Sequence, residues 1–272
     1  MKFKHIAIYF ISVVFLCLCV FMCFIKGNKN KKNVTLKITI GFDANYPPIG
    51  FLDENGKAAG FDIELANEVF KTLNLNEQIV FQPIDWDAKD LELNSGKIDC
   101  VWNGLTKTRE REENMLLTKA YMKNRQIAVV NKNSAINNLN DLNGKKICLQ
   151  KGSSAKESVK KNHISSLVKE IVEVENMLNC LAEVETKRCD CAVLDEFLFK
   201  YYSKNRKNDG IINKFKVLDE EIDLDCFVVA VKKENYNLKN KIEEGLSSVY
   251  WSGKAEEISK KWFDQNLFFW ES

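Results

Sequence analysis

The sequence predicts an α/β protein, a sheet with helices on both faces, built as one large domain or two small ones. Three observations carry this expectation. From residue 37 onward short β-branched or apolar runs alternate with segments of helical periodicity. The chain has 272 residues, 45 % of them hydrophobic, enough for a sizeable core and too many for a minimal module. Finally, Asp43, Asn103, Gln150 and Asp195 each stand at the end of a strand-like run. In open α/β sheets that is where ligand-contacting groups collect, facing a crevice.

Taken in order, "KITIGF" (37–42) is a strand. Asp62 opens a helix whose apolar positions Ala66, Val69, Phe70 and Leu73 fall on one face. "QIVFQPI" (78–84) is a strand, Asp87–Ser95 a helix, and "DCVWN" (99–103) a buried strand, followed by the strand "RQIAVVN" (125–131). A second series then begins. "NNLNDLNGKKICLQ" is a turn or short helix leading into a strand, "SSAKESVKKN" a helix, "EIVEV" (170–174) a strand and Glu175–Lys187 a helix. "CDCAVLD" (189–195) leads into a helix over 196–203, and "FKVLD" (215–219) and "DCFVVAVKK" (225–233) are two further strands. Two amphipathic helices finish the chain, one burying Leu238, Ile242, Leu246 and Val249, the other Ala255, Ile258 and Trp262.

Charge and composition exclude several functions. Forty Lys+Arg against 38 Asp+Glu leave a formal +2, with no basic block, so no nucleic-acid partner is expected. His5 and His163 are the only histidines, and Cys189-x-Cys191 lacks the spacing of a zinc site, so neither metal nor cofactor is expected. Cys100, Cys148, Cys180, Cys189, Cys191 and Cys226 read best as buried free thiols, although an even count permits disulfides.

The N-terminus has a different character. Met1–His5 is short and basic, Ile6–Ile25 is twenty residues without a charge, and Lys26–Lys32 is polar and basic. Twenty helical residues rise about 30 Å, the thickness of a bilayer core, so an export signal or membrane anchor is expected over residues 1–33. A lipoprotein cysteine follows a small residue, whereas Leu16, Leu18 and Met22 precede Cys17, Cys19 and Cys23. A retained anchor and an atypical lipoprotein both remain open.

The order of motifs resembles the bacterial extracellular solute-binding proteins for polar amino acids, which feed ABC importers. "GFDANYPPIGFLDENGKAAGFDIELANEVF" is similar to the opening strand, aromatic-proline turn and first helix of that family. "IDWDAKDLELNSGKIDCVWNGLTKTRER" is similar to its second helix, strand and binding loop, and "LNDLNGKKICLQKGSSA", "CDCAVLDE" and "ISKKWF" follow in the same order. The resemblance implies a two-lobed clamp of the periplasmic-binding-protein type II class. Residues 34–129 with 224–272 would form one lobe and 130–223 the other, the chain crossing near Val130–Asn131 and Ile222–Asp225. It also implies export to the extracytoplasmic face or periplasm, a monomer, a small amino acid as ligand and membrane permease subunits as partners.

An α-amino acid carries a carboxylate and an ammonium, and a dry cleft must neutralise both. Arg111 offers a planar fork for the carboxylate; its competing fate is a surface pair with Glu112 or Glu113. Thr106 adds a hydroxyl and a backbone N–H, and Gly104 leaves bare backbone for the ligand to lie on. Ser153 and Ser154 begin a helix, and Ser154-x-x-Glu157 also has capping-box form. The resemblance assigns Ser153 to the carboxylate and Asp195 to the ammonium, and makes Tyr46 and Trp86 aromatic walls. Asn103 belongs to the same binding loop. Asp43 and Gln150 are left as side-chain selectors, which leans toward glutamine, arginine or a similar ligand. Arg109, Trp102 and Ser154 depart from the usual pattern, Arg109 adding a second cation near the mouth. Two alternatives are a cyclohexadienyl-dehydratase-like enzyme on the same fold, which needs an acid or base aimed at a substrate ring, and a ligand-sensing domain.

Overall fold

Strand and helix propensities along the chain translate into a twisted mixed sheet with helices packed on it. The computed structural model describes residues 37–75, 78–205 and 211–270. The expected signal or anchor over residues 1–33 lies outside them. Among the described residues no helix is long and apolar enough to cross a membrane.

The first part of the chain contains β1 (Ile38–Asp43), β2 (Asn45–Tyr46), β3 (Gly50–Leu52), β4 (Ala58–Ala59), α1 (Phe61–Thr72), β5 (Ile79–Ile84), α2 (Lys89–Ser95), β6 (Cys100–Thr106), α3 (Arg109–Asn114), β7 (Leu116–Leu117) and β8 (Met122–Asn131). The second part contains β9 (Lys146–Gln150), α4 (Ala155–Lys161), α5 (Ile164–Leu167), β10 (Glu170–Val174), α6 (Met177–Glu185), β11 (Cys191–Asp195), α7 (Glu196–Asn205), α8 (Ile211–Lys214), β12 (Phe215–Val231), α9 (Tyr236–Trp251) and α10 (Lys254–Phe263). A 3-10 turn over Trp86–Ala88 runs into α2, and another over Leu139–Leu142 precedes β9.

Among the described residues the main sheet has nine strands, in the order β10-β9-β11-β8-β12-β6-β1-β5, with β7 added on β12. The β1/β5, β1/β6, β9/β10 and β9/β11 pairs are parallel, whereas β8 and β12 run antiparallel to their neighbours. One lobe is organised around β1, β5 and β6, the other around β9, β10 and β11. The long strands β8 and β12 are shared. Every residue of β6 is buried, which is why it reads as a continuous apolar run rather than an alternating one.

The expected strands 215–219 and 225–233 are one 17-residue strand, β12. The polar stretch between them breaks the apolar pattern because Asp219, Glu220, Glu221 and Leu224 face solvent where the strand crosses from one lobe to the other, while Ile222 among them is buried. Pairing with β8 nevertheless continues, with register shifts between Val217 and Glu221 and between Glu221 and Asp223.

Leu238, Ile242, Leu246 and Val249 are buried along α9, and Ala255 and Ile258 along α10. They pack with Phe70, Trp102, Tyr121 and Phe227 into the largest core; a second core joins Val130, Leu149, Val159 and Val193 in the other lobe. The bulky Trp102 is fully buried, its ring 6.4 Å from that of Phe70 and 6.3 Å from that of Tyr121. Cys100, Cys148, Cys180, Cys189 and Cys191 are buried free thiols, and Cys226 is half-buried.

Candidate functional site

The carboxyl ends of β1, β6, β9 and β11 converge, and the residues that follow them close on one another. Asp43, Tyr46, Trp86, Gly104, Thr106, Arg111, Gln150, Ser153, Ser154 and Asp195 all line one small cavity of about 10 Å³, to which Met177 is added. Asn103 does not line it. Its side chain lies behind the wall, where Oδ1 accepts a 2.7 Å hydrogen bond from the backbone N–H of Asp43.

Arg111 reaches the cavity because β6 ends at Thr106 and Thr108 caps α3, its hydroxyl accepting from Arg111 N–H. The acidic neighbours are taken by other cations: Arg109 pairs with Glu113 at 3.1 Å and Lys107 with Glu112 at 3.1 Å. Arg109 is therefore a surface residue. The buried Arg111 donates from Nη1 to the Thr106 carbonyl at 2.7 Å and from Nη2 to the Gly152 carbonyl at 3.2 Å. Burial holds its pKa below the usual arginine value.

The opposite charge comes from the other lobe. Asp195 is buried, and its carboxylate accepts from the Tyr46 hydroxyl, from Asn124 Nδ2 at 2.5 Å and from Gln126 Nε2 at 2.6 Å. Register explains the cluster. Asp195 of β11 lies opposite Gln126 of β8, and Asn124 of β8 lies opposite Asp225 of β12. Opposed residues and those two apart share a face, so four polar side chains project together. Asp225 Oδ2 accepts from the Thr106 hydroxyl at 3.3 Å. The buried atoms Asn124 Oδ1, Gln126 Oε1 and Asp225 Oδ1 receive no donor from the protein. Burial pushes Asp195 up to about 6, its hydrogen bonds holding it back, while burial and then the charge of Asp195 push Asp225 up to about 7.

Bare backbone lies between these poles. Gly104 has φ of +58°, and a Cβ there would come within 2.6 Å of Tyr46 Cε1. Its N–H is held by the buried Asp62, whose Oδ2 accepts at 2.6 Å and whose carboxylate also accepts from the Tyr121 hydroxyl. Burial pushes Asp62 up to about 7.

Contacts across the cleft complete the site. Gln150 Nε2 donates to Asp43 Oδ2 and to the Glu175 carbonyl, the latter at 3.3 Å. Asp43 has its pKa raised, chiefly by burial and further by the charges of Asp85 and Glu175. Ser154 occupies the N-cap position of α4 but makes no side-chain cap bond; its hydroxyl donates instead to Thr106 Oγ1 at 3.0 Å. The capping-box form of Ser154-x-x-Glu157 is thus not realised. Ser153 Oγ donates to the Gln150 carbonyl at 2.7 Å.

Five participants escaped the sequence; Met177, at the start of α6, reads there as a core position. Asn124, Gln126 and Asp225 sit inside strands, and strand register alone brings them together. Lys89 opens α2, where a lysine reads as a solvated position, yet it is buried beside Arg111. No group of His, Cys, Asp and Glu among the described residues has an arrangement that could hold a metal ion.

Comparison with known proteins bears on the family and the fold. The chain is 28 % identical over 249 residues to the arginine-binding extracellular protein ArtP of Bacillus subtilis, covering 87 % of this chain and 90 % of that protein. The structure of an ABC uptake transporter substrate-binding protein from Streptococcus pneumoniae with bound histidine is similar, with a TM-score of 0.79 and 36 % identity over 85 % of this chain and 94 % of that one. An ancestral amino-acid-binding protein, a precursor of cyclohexadienyl dehydratase, is similar with a TM-score of 0.73 and 29 % identity over 84 % of this chain and 95 % of that one. With residues 38–265 matching that family, the chain belongs to the bacterial extracellular solute-binding proteins, family 3.

Proposed function

We propose that this chain binds a polar L-amino acid between its lobes and delivers it to the membrane subunits of an ABC importer. One observation carries this reading: a buried guanidinium from one lobe and a buried carboxylate from the other line the same cavity. A zwitterion matches that pair. Arg111 takes the ligand carboxylate with Thr106 and Ser153 beside it, and Asp195 takes the ammonium. Asp225 Oδ1, Asn124 Oδ1 and Gln126 Oε1 supply further acceptor capacity around Asp195. Tyr46 and Trp86 flank the aliphatic part, Gly104 lets the ligand lie against backbone, and Gln150 and Asp43 read the side chain. The carboxylates of Asp43, Asp85 and Glu175 at that end favour a cationic side chain over a neutral amide. The names of the arginine-binding and histidine-bound relatives support the same choice.

Residues 34–129 with 224–272 are taken as one lobe and 130–223 as the other, with β8 and β12 as the hinge. The protein acts as a monomer outside the cytoplasm, held at the membrane by its N-terminal segment. Thermal-shift screening against the twenty L-amino acids tests the reading, with stabilisation by arginine or histidine expected. Calorimetry should then show no binding to Arg111→Ala; unchanged affinity would refute the site. A second reading rests on the similarity to the dehydratase precursor, and incubation with arogenate or prephenate tests it by product formation.

A further inference from the structure

The loop after β9 packs closely against the first lobe. Gly152 has φ of +69°, and a Cβ there would lie 2.9 Å from Asp87 Cα and 3.3 Å from the Trp86 carbonyl oxygen. The loop backbone therefore rests directly on the 3-10 turn of the other lobe. Lys151 reinforces the contact by pairing with Asp87 at 2.7 Å.

The Gly152 carbonyl is the focus. It accepts from Lys89 Nζ at 2.9 Å and from Arg111 Nη2 at 3.2 Å. Both donors belong to the first lobe and both are buried, Lys89 at 4 % exposure and Arg111 at 7 %. Lys89 also stands over the Trp86 ring, 5.6 Å from its centroid. Its nearest carboxylate, Asp90, lies 3.6 Å away and is half-exposed. A carbonyl has lone pairs for two donors, but its partial charge does not neutralise two formal ones. Burial, and then the charge of Arg111, lower the pKa of Lys89.

Closing the lobes therefore does two opposed things. It forms two charge-assisted hydrogen bonds to one acceptor, and it crowds two cations in a poorly screened place. A carboxylate delivered to Arg111 relieves the crowding and leaves the bonds. We infer that Lys89 is a positioning residue for closure: its bond to the Gly152 carbonyl latches the lobes once a ligand carboxylate has neutralised Arg111, and so sets how long the ligand is held. This rests on the amino-acid-binding reading above.

The test uses the full chain with L-arginine and L-histidine as probes, followed by stopped-flow tryptophan fluorescence. Lys89→Met keeps the length of the side chain and removes its charge. Its dissociation rate should rise about tenfold or more while the association rate stays within about twofold, because the latch forms after encounter. Lys89→Arg, which retains a cationic donor, should bring dissociation back most of the way toward that of the unaltered chain. A purely packing role would not be rescued by the bulkier arginine. Melting of each ligand-free variant confirms folding, and Lys89→Gln replaces Lys89→Met if the latter fails to fold. A folded Lys89→Met protein that binds and releases either probe at the original rate overturns the latch. Failure of the unaltered chain to bind any L-amino acid overturns the underlying reading instead.

Discussion

Gln150 and Asp43 meet across the cleft, the Nε2 of the first donating to Oδ2 of the second at 2.8 Å. One ends β9 and the other ends β1, so the bond joins the two lobes at the place where a ligand side chain would arrive. A side chain that takes over this amide's place must itself donate, and a cation does so more strongly than a neutral amide.

Asp43→Asn should weaken L-arginine binding by about tenfold or more and change L-glutamine binding by less than about threefold. Titration calorimetry with both ligands measures the ratio. Equal losses for the two would mean that Asp43 shapes the pocket without reading charge.

Affinity should depend on pH through Asp195 and Asp225, whose values of about 6 and about 7 stand above the ordinary carboxylate value of 3.8. Asp195 faces Tyr46, Arg111 and the amides of Asn124 and Gln126; Asp225 faces Asp195, Asp223 and Thr106. A ligand ammonium favours the ionised carboxylates, so binding expels protons and weakens as pH falls from about 8 to about 5. Calorimetry in buffers of different ionisation enthalpy should detect proton release near neutrality, with less released by Asp225→Asn. The ligand-free fold shows the converse dependence. Carboxylates with raised values bind more protons folded than unfolded, so their contribution to stability is present in acid and is lost as pH rises through about 6 to 7. Melting of the ligand-free chain between those limits follows that contribution.

Gly104→Ala places a methyl group against the Tyr46 ring at a positive φ. It should cost roughly 1–3 kcal/mol in urea unfolding, and it should also reduce ligand affinity, because Tyr46 must move away from Asp195 to make room. A variant with normal stability and normal affinity would show that the loop relaxes elsewhere.

Arg111→Lys retains positive charge without the planar fork. It should lose most of the affinity for L-arginine, about a hundredfold or more, while unfolding at nearly the same urea concentration as the unaltered chain. Near-normal binding would show that charge alone holds the carboxylate.

Much of this architecture was legible in the chain because strand ends leave a local mark. Asp43, Gln150 and Asp195 stop apolar runs and could be placed on the cavity from their neighbours, whereas Thr106 and Arg111 were placed by the resemblance of their motif to the family's binding loop. Asn103 carries the same mark, yet its amide turns back to support β1. The sequence announced a second cation near the mouth and named Arg109; the second buried cation is Lys89, and Arg109 pairs outside with Glu113. Nothing local separates those two residues. Lys89 is buried by the opposite lobe, a contact of long range in the chain, and Asp225 enters the cluster through the register of β8 against β12. The continuity of β12 was hidden for a related reason, since its charged middle is held by pairing and not by burial.

The placement of β12 has a consequence for biogenesis. Residues 227–231 of this strand are the partner of β6, so the lobe built on β1, β5 and β6 keeps an unpaired edge until almost the whole polypeptide is available. The lobe built on β9, β10 and β11 takes β8 on one side, and Phe215–Val217 of β12, which close the other edge of β8, precede residues 227–231 in the chain. During vectorial emergence the later-made lobe therefore has all its strand partners before the earlier-made one has, and the first strands to appear wait longest with an exposed edge.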